Sequence, residues 1–230
     1  MAELFATPRK FLMTSHSISI SNLTEQFHTI LCLMQVSIGF DLDGTLMDHR
    51  GAARAAINRW LTERSWSHAG DAGEAWLRLE DTHFAAFTAG AISFQEQRRR
   101  RLVDFLIQIG VEPHDHNLDE LFEEYVALYE LSWVAFPDVV NTLDLLRESG
   151  VMLAVLTNGQ QVQQEAKLIR IGIRDRFDVV LASSELPKGK PSQQAFDALC
   201  AALSSPANSV LFVGDDLDAD VGGALAAGLR

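Results

Sequence analysis

Four short apolar runs constrain this chain most. They are Val36 to Phe40, Val151 to Leu156, Val179 to Ala182 and Val210 to Val213. The second is apolar throughout, as expected of a strand covered on both faces. Helical patterns lie between the last three: about Gln160 to Ile171, ending at Gly172, and Ser192 to Leu203. Strands alternating with helical connections predict an α/β fold with a doubly wound, Rossmann-like parallel sheet. A further helix, capped by Asp138, is expected before Gly150, and a last one from near Asp220.

The first run is separated from the second by a long helical stretch with no convincing strand. Ala52 to Thr62 and Asp71 to Ala89 carry apolar residues on helical spacing. Ser93 and Glu96 form a capping box for a helix that stops at Gly110, and Asn117 opens another that runs to about Trp133. The expected organisation is therefore a core of residues 36–50 and 136–230 with an all-helical cap, 51–135, inserted after the first strand. The basic run Arg98 to Arg101 is read as a solvated helix face, from which a single arginine could reach a substrate anion. Residues 1–35 fit neither unit. Met34 is the expected domain start, with the preceding segment loosely held.

With 230 residues and 47% apolar content, the chain can build a substantial core. Its net charge of −12 argues against a broad nucleic-acid surface. No apolar run approaches the length of a membrane span. The two cysteines, Cys32 and Cys200, lie far apart, and Cys200 sits in an apolar run as an expected buried free thiol. A reducing, cytoplasmic compartment fits, as does a monomer or homodimer with no nucleic-acid or membrane partner.

The chemistry collects where the apolar runs end. The first closes on Asp41-Leu42-Asp43-Gly44-Thr45. Alternation along a strand turns Asp41 and Asp43 the same way if the extended backbone persists. Gly44 allows a sharp turn that brings backbone N–H groups towards an anion. The second run ends in Thr157-Asn158-Gly159, a hydroxyl and N–H groups at a helix start. Lys190 follows the third, preferred over Lys188 because Pro191 constrains its backbone. After the fourth come Asp215, Asp216, Asp218 and Asp220. Two unit charges about 4 Å apart repel by roughly 4 kcal/mol at an effective dielectric of about 20. Gathered with Asp41 and Asp43, such a cluster needs a cation, and all-oxygen ligation favours Mg²⁺.

These four motifs in order, each at a strand end, resemble the haloacid dehalogenase-like (HAD) hydrolase superfamily, in its phosphatase branch with a helical cap after the first motif. The resemblance covers about Val36 to Arg230. It implies Asp41 as nucleophile, Asp43 as general acid and base, and Lys190 as a catalytic cation. It implies phosphate contacts at Leu42, Asp43, Thr157, Asn158 and Lys190. For the metal it implies Asp41, Asp43 and Asp215, with Asp220 in the second acidic position. Asp216 could replace either neighbour, and the spacing does not decide it. Dehalogenases proper lack the Asp43 carboxylate, so halide displacement is disfavoured. Relatives usually continue with another strand and helix, so the resemblance also implies a C-terminal truncation at Arg230. The expected function is a Mg²⁺-dependent phosphomonoester hydrolase acting on a small phosphorylated metabolite through an aspartyl-phosphate. A phosphomutase, or a non-catalytic binding protein on the same fold, is the alternative.

Overall fold

The structure is a computed structural model that describes residues 36–230. The N-terminal segment 1–35, with Cys32 and Met34, lies outside the described residues. Four parallel strands, β1 (Ser37–Phe40), β2 (Met152–Thr157), β3 (Val179–Ala182) and β4 (Val210–Val213), form one sheet in the order β3-β2-β1-β4. Ile38 pairs with Leu153 on one side and Leu211 on the other, so β1 is central and its four residues are all buried. The doubly wound α/β architecture expected from the apolar runs is present.

The period of two divides β2 between two apolar layers. Leu153 and Val155 join Ile38, Phe40, Leu168 and Phe177 on one face. Ala154 and Leu156 join Phe196, Leu199 and Val210 on the other. A strand that packs on both faces leaves no polar position, which is why its sequence reads apolar throughout. Three helices flank this sheet: α5 (Val139–Glu148), α6 (Gln161–Arg170) and α7 (Gln193–Ala202).

Between β1 and α5 lie four helices, α1 (His49–Arg64), α2 (Ala72–Thr88), α3 (Phe94–Gln108) and α4 (Leu118–Leu131). Helix α1 begins at His49 because the Asp48 side chain accepts the Gly51 N–H at 2.8 Å, a cap the apolar pattern alone does not reveal. Ser93 caps α3 by accepting the Glu96 N–H at 3.1 Å. The reciprocal half of the expected capping box is replaced: the Glu96 carboxylate takes Arg100 at 2.7 Å instead. Trp60, Trp76 and Phe105 are fully buried at the centre of this four-helix unit. The two chain crossings into it pair with each other, Asp48 N–H donating to Val134 and Phe136 N–H to Leu46. The apolar cluster continues from the four helices through Leu42, Leu46 and Met47 to the sheet, so the cap rests on shared core.

Three local expectations change. Asp138 precedes α5 but makes no side-chain cap bond, its own backbone being already helical. Cys200 is half-buried and free rather than buried. The last helical segment starts at Leu217 as a π-helical turn to Gly222, then continues as the short α8 (Gly223–Ala226). Arg230 then pairs along the outer edge of β4, donating to Val210 and accepting from Phe212. Among the described residues no helix is long and apolar enough to cross a membrane.

Candidate active site

The C-terminal ends of β1, β2 and β4 open onto a cavity of about 590 Å³ whose opposite wall is the cap. Such crevices are where parallel sheets place ligands. Just after β1, the Asp41 N–H donates to Val213 across the sheet at 2.8 Å, which holds the Asp41 backbone in the strand's line. Gly44 then turns with φ of +95°, and its N–H closes on the Met47 carbonyl at 2.9 Å. A Cβ at Gly44 would stand 2.3 Å from Asp215 Oδ2, so glycine is required there twice, for conformation and for room.

Carboxylate oxygens of Asp41, Asp215 and Asp220 lie within 4.8 Å of one another. Asp41 and Asp220 are buried, at 6% and 1% exposure. Lys190 Nζ sits between them, 2.5 Å from Asp41 Oδ1 and 2.6 Å from Asp220 Oδ1. Burial pushes the Asp41 carboxyl up to about 7; Lys190 opposes that shift and Asp220 adds to it. Burial likewise raises Asp215, with Asp220 and Asp216 contributing. Burial alone would lower Lys190, but Asp41 and Asp220 outweigh it and the pKa is raised. Three acids and one lysine thus share one small volume, an excess of negative charge that a hard divalent cation with oxygen ligands would relieve. The donor set therefore fits Mg²⁺.

Asp216 turns away from this group. Its side chain accepts the Asp218 and Ala219 N–H groups at 2.9 and 2.8 Å and caps the π-helical turn. That turn puts Asp220 back over the strand end, where its Oδ2 accepts the Asp216 N–H. In this local fold Asp220, and not Asp216, stands with Asp41 and Asp215.

The Asp43 carboxylate is also apart from the three-acid group. Lys167 Nζ holds both its oxygens, at 2.8 and 2.6 Å, and Gln164 Nε2 donates to it at 3.0 Å. The same Gln164 amide donates to Thr157 Oγ1 at 2.7 Å, tying the ends of β1 and β2 together. Burial would raise the Asp43 pKa, but Lys167, then His49, overcome it and the carboxyl is held below its usual range. Asn158 serves the Lys190 loop: its amide accepts the Lys190 N–H and donates to the Lys190 carbonyl, both at 2.9 Å. Leu42 is wholly buried, and its carbonyl accepts from Leu46 and Met47.

Sequence reasoning missed Gln164 and Lys167. Both are buried polar residues of α6, three positions apart and so on one helix face. Two long polar side chains on the buried face of the helix that follows Thr157-Asn158-Gly159 were the available signal. It also missed the polar chain on the cap wall. His49 Nδ1 meets Tyr129 Oη at 2.7 Å and its Nε2 lies 3.4 Å from Glu80, whose other oxygen takes Arg101 at 2.6 Å. Burial disfavours charge on His49, yet Glu80 outweighs it and raises the pKa. Burial disfavours charge on Glu80 as well, but Arg101 and His49 together hold it well below its ordinary value. Arg101, read as part of a solvated face, is 5% exposed and stacks over Trp76.

The model of haloacid dehalogenase-like hydrolases matches residues 37–228. The chain is 41% identical over 200 residues to ribulose-1,5-bisphosphate 5-phosphatase of Halopiger xanaduensis, covering 86% of this chain and 83% of that protein. It is 29% identical to phosphoglycolate phosphatase of Rhodobacter capsulatus, over 81% of this chain and 78% of that one. The fold is similar to that of the HAD-hydrolase YfnB from Bacillus subtilis bound to magnesium, with a TM-score of 0.76 at 22% identity over 85% and 86% of the two chains. L-2-haloacid dehalogenase from Xanthobacter autotrophicus shares it too, at a TM-score of 0.65 and 24% identity over 84% and 74%. Fold likeness therefore spans a magnesium-bound HAD-hydrolase and a dehalogenase, whereas the sequence likeness over most of both chains is to phosphatases. With four parallel strands, their acidic ends and the inserted helices in place, the chain belongs to the haloacid dehalogenase-like hydrolase family, in its phosphatase branch.

Proposed function

We propose that this phosphatase hydrolyses a small phosphomonoester with Mg²⁺ and passes through an aspartyl-phosphate on Asp41. One observation carries the reading. Asp41, Asp215 and Asp220 converge within 4.8 Å, with Lys190 on Asp41, at the mouth of a parallel sheet and facing the cavity under the cap. The phosphatases among the relatives support the substrate class.

Asp41, Asp215 and Asp220 would hold the metal, which when bound supplies positive charge against the phosphoryl oxygens. Lys190 orients Asp41 and adds a second cation beside the transferring group. An Asp41 oxygen attacks phosphorus, and the bond to the leaving oxygen breaks as Asp43 gives that oxygen a proton. Water then attacks the phosphoryl group, Asp43 takes its proton, and the bond to Asp41 breaks. In the structure Asp43 is held as a carboxylate by Lys167, the form the second step uses. The first step uses the proton that Asp43 took from water in the preceding turnover, with the leaving oxygen in the place that Lys167 holds here. The cap closes the cavity from above and chooses the leaving group.

The test separates the two carboxylates. Asp41→Asn should abolish turnover and form no covalent species. Asp43→Asn should be slow on alkyl phosphates, whose departure needs an acid. With p-nitrophenyl phosphate the leaving group needs little help, so one phosphoryl group should accumulate on Asp41, visible by intact-protein mass after an acid quench. Full turnover of alkyl phosphates by Asp43→Asn, or a phosphoryl group mapped elsewhere, would overturn the assignment.

A further inference from the structure

The cap wall carries a charge pattern that phosphoryl transfer does not use. In a chain of net charge −12, the cap residues lining the cavity include three arginines, Arg50, Arg98 and Arg101, against two acids, Glu80 and Asp81. Their partners differ. Arg101 is buried and neutralised by Glu80 at 2.6 Å. Arg50 and Asp81 are both largely exposed and 3.7 Å apart. Arg98 is the distinctive one. Its side chain is 23% exposed and lines the cavity, while its acidic partner Glu123 lies 3.3 Å away and is 66% exposed. With its carboxylate so open to water, the pair contributes about 0–1 kcal/mol and is easily given up for a better anion.

Aromatic rings fix where Arg98 sits. Its guanidinium lies 4.6 Å from the Phe94 ring centre and 5.0 Å from Phe122. The Arg101 guanidinium is also 5.0 Å from Phe122. Two cations thus approach one ring; Arg101 has the half-buried Glu80 as partner, and Arg98 has only the exposed Glu123 among the described residues. Burial lowers the Arg98 pKa; Glu123 opposes that and the Arg101 charge adds to it. Arg101 Nε is buried and has no hydrogen-bond partner among the described residues, a donor left over on the same wall. An oxyanion brought in by the substrate answers each of these conditions. Guanidinium forks bind carboxylate and phosphate through paired N–H groups. Gln97 Oε1, an acceptor on this wall that also lacks a partner, suits a substrate hydroxyl as a separate contact.

We propose that Arg98, backed by Arg101, binds a second oxyanion carried on the leaving group, so that the substrates are phosphomonoesters with a carboxylate or another phosphate at their far end. This rests on the phosphomonoesterase reading of the site. Contact with that remote group holds substrate and transition state alike and so lowers KM.

Phosphate release is measured with 2-phosphoglycolate, which has a carboxylate tail, ribulose 1,5-bisphosphate, which has a phosphate tail, and ethyl phosphate and p-nitrophenyl phosphate, which have neither. At least one anionic substrate should exceed ethyl phosphate tenfold or more in kcat/KM, and which one does so identifies the oxyanion. Arg98→Gln should lower that ratio at least tenfold, mainly through KM, and Arg98→Lys should restore part of it. No preference for either anionic tail, or a ratio that Arg98→Gln leaves unchanged, overturns the proposal. If p-nitrophenyl phosphate and the rest all release nothing, the hydrolase reading fails instead. The thermal midpoint of Asp41→Asn protein with 2-phosphoglycolate, ribulose 1,5-bisphosphate or ethyl phosphate then decides about Arg98. A larger shift from an anionic-tailed ligand that disappears on adding Arg98→Gln upholds the oxyanion site, and equal shifts overturn it.

Discussion

Charge pairs line the cap wall of this site, and Glu80 takes part in two of them. Half-buried in the cap wall, it takes the buried Arg101 on one oxygen and faces His49 with the other. Removing one member of a buried pair leaves the other charged and unpaired, which costs about 3–5 kcal/mol. Glu80→Gln should therefore lower the thermal midpoint by roughly 6–12 °C, taking about 3 kcal/mol and 2–4 °C for each kcal/mol in a domain of this size. The effect should depend on pH in a defined direction. His49 has a raised folded pKa, so its share of the stability is complete below its ordinary value of 6.5 and fades as pH rises through the folded value. Glu80 has a lowered folded pKa, so its share is complete above its ordinary 4.5 and is lost as pH falls towards the folded value. The difference between native protein and Glu80→Gln, followed by denaturant unfolding, should thus be largest between about pH 4.5 and 6.5. A difference that grows from pH 6.5 to 9 would contradict this account of the pair.

Among elements, α3 carries the most for its size. Its buried residues Gln97, Arg101, Leu102, Phe105 and Leu106 fall on one face, and Arg98 borders it. The run of four arginines is thereby split by helical geometry. Arg101 is buried, Arg98 is half-buried on the cavity, Arg99 pairs with Asp119 of α4 at 2.6 Å, and Arg100 pairs with Glu96 within the helix. What reads in sequence as one solvated patch is four residues pointing around 300° of a helix. The entry of α3 depends on Ser93, whose Oγ accepts the Glu96 N–H. Ser93→Ala should cost about 1 kcal/mol. It should lower the midpoint by about 2–4 °C. Circular dichroism melts check it, and an unchanged midpoint would show that tertiary packing of α3 makes the cap redundant.

Across the whole molecule, the acids that repel one another come from distant parts of the chain, Asp41 after β1 and Asp215 and Asp220 after β4, separated by the cap and by two other strands with their connections. A cation bound there links β1 to β4, so binding and folding are coupled. Mg²⁺ should raise the thermal midpoint progressively, by an amount equivalent to about 2.7 kcal/mol when free metal is a hundredfold above Kd. Asp215→Asn should weaken that response markedly while leaving the fold intact, because Asp215 is mostly exposed and ties no element in place. A magnesium response identical in that variant would remove Asp215 from the ligand set.

The sequence by itself determined the strand pattern, because a β-strand covered on both faces must be apolar at every position and its end must be marked by the residues that turn the chain. Val179–Ala182 and Val210–Val213 needed no adjustment, and the inserted helices announced themselves through Ser93, Asn117 and Gly110. It likewise marked the strand ends as the place of the chemistry, since aspartates, lysine and glycine are otherwise out of keeping with apolar runs. It did not separate Asp216 from Asp220, which stand four residues apart and differ only in how a π-helical turn orients them. Nor did it show that Lys167 and Gln164 grip Asp43 from more than a hundred residues away, or that Glu80 lies between His49 and Arg101. Those relations are distances between side chains on different elements. They exist only once helices pack on the sheet and on each other, and only the tertiary structure decides them.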